Sequence, residues 1–112
     1  MAKRVLITTD RIGRGDEELG RLLARNLCYS LARADVKPAA VMLMNGAVTL
    51  ACEGSEVLDD LSLLVEDGVP VKVCGTCLDY FKLSDSLVVG DVGTMVDAVA
   101  ALLGHDEIVT IA

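Results

Sequence analysis

An α/β fold, with a five-stranded and mainly parallel sheet between two layers of helices, is predicted by three observations. Short apolar runs alternate with amphipathic stretches along the whole chain. The apolar runs are nearly continuous and do not alternate with polar residues, as strands buried on both faces require. Glycine, proline and polar clusters separate the two kinds of segment at regular intervals.

The first apolar run is Val5–Thr8, followed by a polar, glycine-punctuated loop, Thr9–Gly15. Asp16, Glu17 and Glu18 open a helix, where the macrodipole favours acidic groups. Leu19, Leu22, Leu23, Leu27, Leu31 and Ala34 recur at helical spacing and predict its buried stripe, with Cys28 beside them as a small hydrophobe. Pro38 follows closely and ends the helix near Ala34-Asp35. Pro38–Met44 is the second strand, closed by an Asn45-Gly46 turn, and Ala47–Cys52 reads as a helical turn or irregular loop. Gly54-Ser55 caps the second helix, whose buried face is Val57, Leu58, Leu61, Leu64 and Val65, and Asp67-Gly68 closes it. Val71–Cys74 is the third strand, and a short helix over about Leu78–Lys82 follows. Leu87–Gly90 reads as a very short fourth strand. Thr94-Met95-Val96-Asp97 matches a capping box and starts a helix with Val96, Val99, Ala100 and Leu103 on its buried stripe. Gly104 ends it, and Ile108–Ile111 is the last strand. Right-handed crossovers turn this β-α order into a three-layer, flavodoxin-like sandwich, one domain over residues 1–112.

Composition narrows the function. The net charge of −7 excludes a nucleic-acid binder, which needs a basic face to neutralise phosphates. No stretch approaches the length of a membrane span and no secretory h-region follows Lys3-Arg4, so a cytoplasmic protein is expected. Four cysteines in a reducing compartment then read as buried thiols, metal ligands or redox groups, not as a disulfide frame.

The chemistry concentrates at Cys74-Gly75-Thr76-Cys77, a C-x-x-C between a strand and a helix start. A thiol there lies at the carboxyl end of a strand, where open α/β sheets bind ligands, and near a helix N-terminus that lowers a thiol pKa. Its functional reading is a reactive pair, one thiol accepting sulfur or electrons and the other resolving. The bland reading is two small residues packed at a tight turn. Gly75 and Thr76 offer hydrogen bonds to a sulfur anion. Asp10 and Arg11, on the loop after the first strand, and Asn45, after the second, fall at the same sheet edge, and Arg11 is placed to favour a thiolate by charge. That loop lacks the hydroxyl run of a flavin site and is not a Walker sequence, so no cofactor is expected. Zinc needs four ligands, and one C-x-x-C with Cys28, Cys52 and His105 scattered elsewhere does not supply them.

The stretch Gly68–Cys74 resembles the strand leading to the active cysteine of the DsrE-like sulfur-relay proteins. Cys74 to Phe81, continuing through Leu87–Gly90 to Thr94-Met95, resembles the DsrE-like C-terminal domain of YedF-type sulfurtransferase-like proteins, a group linked to selenium metabolism. The likeness takes in Gly13, Asp16-Glu17, Leu19-Gly20 and Asn45–Val48. It implies a homo-oligomer, trimer or hexamer, whose cysteine carries sulfur as a persulfide between donor and acceptor proteins. The active cysteine then maps to Cys74, and Cys77 is the additional thiol of the YedF type. YedF proteins carry a preceding TusA-like domain that this sequence does not show, so a separate, TusA-like partner is expected to supply or receive the sulfur. A thiol–disulfide redox protein and a non-catalytic assembly module are the competing expectations.

Overall fold

The computed structural model describes residues 2–112 and shows five parallel strands in the spatial order β4-β3-β2-β1-β5. They are β1 (Lys3–Ile7), β2 (Ala40–Leu43), β3 (Val71–Cys74), β4 (Asp91–Gly93) and β5 (Glu107–Ile111). The helices are α1 (Glu17–Arg33), α2 (Leu58–Glu66), α3 (Gly75–Tyr80) and α4 (Met95–Leu102), with a 3₁₀ helix over Asn45–Ala51. The predicted α/β sandwich is therefore observed, and the sheet is parallel at all four pairings.

Topology decides which face each helix covers. From β1 to β4 the strands step in one direction across the sheet, so right-handed crossovers put their helices on one face. That face presents Val5, Ile7, Val41, Leu43, Val71 and Val73 to Leu61, Leu64 and Leu78, all buried in one cluster. From β4 the chain runs back across the whole sheet to pair β5 with β1, so α4 falls on the opposite face. There it covers Ala40, Met42 and Cys74, leaving a cleft of about 170 Å³ beneath it.

Several elements depart from the sequence reading, each for a packing reason. The buried residues of α1 are Gly20, Ala24, Cys28 and Ala32, whereas Leu19, Leu22 and Leu23 are exposed. Small residues let the helix lie close to its neighbours. At Gly20 a Cβ would stand 3.1 Å from the backbone of Arg11, and Ile12 donates its N–H to the Gly20 carbonyl at 3.0 Å. The helix start is as expected, with Asp16 accepting from the Leu19 N–H at 2.8 Å. Helix α2 begins at Leu58, and Ser55 accepts from the Val57 N–H in the turn before it instead of capping the helix. Val65 lies on its exposed side.

The fourth strand is displaced. Leu87 makes only an isolated antiparallel bridge to Cys52, and the ladder with β3 forms at Asp91–Gly93. Gly90, at φ +89°, turns the chain into that ladder so close to β3 that a Cβ would stand 2.6 Å from the Val71 carbonyl oxygen. Helix α4 is capped as expected, Thr94 accepting from the Asp97 N–H at 3.1 Å. Its predicted stripe is not buried: Val96 is 79% exposed and Leu103 83%. Alone on its face, α4 turns Ala98 and Ala101 toward the sheet and its larger aliphatics outward.

Two consequences are measurable. Gly90→Ala combines left-handed backbone strain with a backbone clash, and should lower stability by about 2–3 kcal/mol in denaturant unfolding. A loss within experimental error would contradict the close approach. Separately, burial, followed by the charge of Asp60, raises the Cys28 thiol from its ordinary 9.0 to about 11. Below pH 9 folded and unfolded chains both hold this proton; as pH rises toward 11 only the unfolded chain releases it, so stability falls across that window. Melting temperatures of Cys28→Ala should decline less steeply over the same range, and parallel curves would refute the assignment.

Candidate functional site

The carboxyl ends of β1, β2 and β3 lie side by side, which gathers three loops at one edge. The central feature is the passage from β3 directly into α3. Cys74 is the last strand residue and caps the helix with its backbone at φ −58°, ψ 118°. The helix starts three residues before the expected Leu78, so Cys77 is the third residue of α3 and lies within its first turn. Gly75 is required for space at this corner, because a Cβ would meet the Val92 side chain at 2.9 Å. Thr76 is exposed.

The two thiols are neighbours with different surroundings. Cys74 is 9% exposed and lines the cleft beneath α4 together with Gly93, its register partner on β4. Cys77 is partly exposed, and its Sγ accepts the backbone N–H of Asn45 at 3.2 Å. Asn45 adopts a left-handed φ of 51°, which an asparagine tolerates. This conformation begins the 3₁₀ helix and points the amide across from β2 to α3.

Burial dominates the Cys77 titration and pushes its thiol above the ordinary range. The adjacent Cys74 side chain acts in the same direction, and the Asn45 N–H opposes both by favouring the anion. The expected lowering by a helix N-terminus is thus reversed at Cys77, since α3 spans only Gly75–Tyr80 and desolvation outweighs it. Cys77 rests as a thiol at neutral pH, a hydrogen donor beside Cys74.

Asp10 and Arg11 belong to the same edge but make their polar contacts elsewhere. The Arg11 guanidinium pairs with Glu17 at 3.0 Å and Asp10 at 3.5 Å. Thr49 donates its hydroxyl to Asp10 at 3.4 Å, tying the first loop to the 3₁₀ helix. These residues line a shallow groove with Asn45, Gly46 and Phe81. Asn45 thus stands between the groove and the cysteines, while no hydrogen bond joins Arg11 to either thiol among the described residues. Cys28 and Cys52 lie apart. Cys28 is buried at 1% exposure under α1, and Cys52 directs its thiol to the Val48 carbonyl at 3.2 Å, with burial raising its pKa.

Sequence reading passed over Met44, Thr49 and Phe81. Met44 was accessible to it: one residue beyond the Leu43–Val73 pairing, strand alternation puts Met44 beside Cys74 on the face of α4. Thr49 and Phe81 gave no such signal, because their places depend on the 3₁₀ helix and on the length of α3.

Among the described residues no helix is long and apolar enough to cross a membrane. The chain matches no protein-family model and no curated protein. Its structure is similar to the crystal structure of the ychN protein from E. coli, with a TM-score of 0.71 and 27% identity, over 98% of this chain and 99% of that one. It is also similar to MTH1491 from Methanobacterium thermoautotrophicum, a protein of unknown function, with a TM-score of 0.62 and 21% identity over 98% and 99% of the two chains. The chain has a DsrE/YchN-like fold.

Proposed function

We propose that this protein is a sulfur carrier of the sulfurtransferase-like type, holding a persulfide on Cys74 and passing it to a protein partner. The observation that carries the reading is the pair of unlike thiols at the end of β3, with a backbone N–H directed at one of them. In loading, the Cys74 thiolate attacks the outer sulfur of a donor persulfide. A sulfur–sulfur bond forms on Cys74, the donor's own bond breaks, and the donor leaves as a thiolate with no net oxidation. The Cys77 thiol donates a hydrogen bond to the new anion, and the apolar wall of the α4 cleft shields it from water. For release, an acceptor thiolate attacks the outer sulfur. Alternatively Cys77, once deprotonated, attacks the inner sulfur of Cys74, displaces hydrosulfide and closes a Cys74–Cys77 disulfide.

The finer likeness, to the YedF type, rests on Cys77 standing three residues after Cys74. A TusA-like protein is the proposed donor or acceptor, and selenium would travel by the same bond exchange. We further propose that the chain works as a homo-oligomer, a trimer or hexamer. Support comes from the aliphatic outer side of α4, where Val96, Val99, Leu102 and Leu103 are all exposed. Apolar residues collected in this way mark an interaction surface.

Incubation with a persulfide donor should add the mass of one sulfur atom to Cys74, and Cys74→Ala should lose the adduct. Cys77→Ala should still load but should not release hydrosulfide by disulfide closure. Wild-type loading in Cys74→Ala would refute the assignment, and a reversible Cys74–Cys77 disulfide without any sulfur adduct would turn the reading to thiol–disulfide redox. For assembly, light scattering should give a mass of several chains, and Val96→Glu with Leu103→Glu should reduce it to one while circular dichroism stays unchanged. A monomeric wild-type protein would overturn the oligomer.

A further inference from the structure

The sulfur atoms of this chain are unevenly distributed. Met42, Met44 and Met95, all the methionines among the described residues, line one cleft, and Cys74 lines it with them. Met44 is the nearest of the three in strand register. It follows Leu43, the partner of Val73, so it stands beside Cys74 on the adjacent strand and on the same face. Neighbouring strands lie about 4.8 Å apart, so the two side chains rise from adjacent points on one face of the sheet. The next residue, Asn45, gives its N–H to Cys77 Sγ at 3.2 Å, so Met44 is also next to the second thiol along the chain. Cys74 and Met44 thus share the cleft at the end of β3, and Cys77 lies at its rim against the backbone that follows Met44.

From this arrangement we infer a binding site for a monovalent soft metal ion, Cu(I) or its mimic Ag(I), formed by Cys74, Cys77 and Met44. Thiolate and thioether sulfur select Cu(I) over harder divalent ions. Zinc is disfavoured because it needs four ligands, and among the described residues no group of three His, Cys, Asp or Glu is close enough to hold a metal. Met42, buried at 6% exposure, and Met95, at the start of α4, supply the surrounding wall of low polarity. Lys72 and Arg4 also line the cleft, yet each carries its own carboxylate partner, Asp91 at 3.5 Å and Asp106 at 3.0 Å. Binding replaces two thiol protons with the metal and moves no electrons. Metal occupancy and persulfide loading then compete for the same sulfur, which makes the metal an inhibitor of sulfur transfer.

Anaerobic titration of the reduced protein with Cu(I) against a colorimetric Cu(I) chelator tests the site. One Cu(I) per chain should be retained, with a sulfur-to-copper charge-transfer absorption in the near ultraviolet. Cys74→Ser and Cys77→Ser should each weaken retention by more than the roughly 10–100-fold that loss of an outer-shell partner costs. Met44→Leu, a substitution of similar volume, should weaken it about tenfold, while Met42→Leu leaves it unchanged. Equal retention by Met44→Leu and wild type would overturn the site, as would failure to hold stoichiometric Cu(I) or a preference for Zn(II). Persulfide loading of the metal-free protein is scored separately, so the two readings stand or fall apart.

Discussion

Where β4 runs along β3, the chains approach so closely that a side chain is excluded at two glycines. Gly90 faces the Val71 carbonyl, and Gly75 faces Val92 across the same seam. This contact fixes β4 at the sheet edge, from which the crossover to β5 carries α4 over the opposite face. The cleft beneath α4 and the exposure of Cys74 to it both follow. A side chain at Gly90 would push β4 outward and remove Gly93 from its place beside Cys74. The site therefore depends on an approach made outside it.

The two faces of the sheet are stabilised unequally. On the face of α1 and α2, small residues of α1 and the leucines of α2 close over β1, β2 and β3, and many side chains there have almost no exposed surface. On the other face a single helix of eight residues covers the strands, and it has no buried residue of its own. Burial of apolar surface supplies the main favourable term in folding, at about 25 cal/mol per Å². The first face thus carries the bulk of the stabilisation, and the second carries the cleft. Cys74 belongs to both: it contributes to the core cluster and opens onto the cleft.

Much of the fold was legible because the signals were local. Val71-Lys72-Val73-Cys74, bounded by Pro70 and Gly75, reads as a strand in any context, and Asp16 and Thr94 cap helices by side chains that need only their own turn. The face of α1 was legible in its second half, where Leu27, Cys28 and Leu31 meet the core, but not at Leu19, Leu22 and Leu23, nor was that of α4, because hydrophobic periodicity counts large residues while close helix–sheet packing selects small ones. Leu87–Gly90 is the most apolar stretch of its region, yet the ladder forms in the more polar Asp91-Val92-Gly93, where the positive φ of Gly90 delivers the chain. At the candidate site, the closeness of Asn45 to the cysteine corner was legible from spacing and turn chemistry. The reversal of the Cys77 shift was not, since it follows from desolvation by residues distant in sequence and from the shortness of α3.

The return of the chain from β4 to β5 has a further consequence. Thr8 meets Ile111 across 103 positions of sequence, so β5 closes the largest loop in the molecule. With β1 to β4 in place only the segment carrying α4 remains to be closed, and neither α4 nor β5 contains a buried residue. Few buried apolar contacts are what accompanies low-energy local opening, and by that measure α4 and β5 stand apart from β1, β2 and β3. Helix α4 covers Cys74, so a local opening of that helix uncovers this thiol while the core around β1, β2 and β3 stays closed.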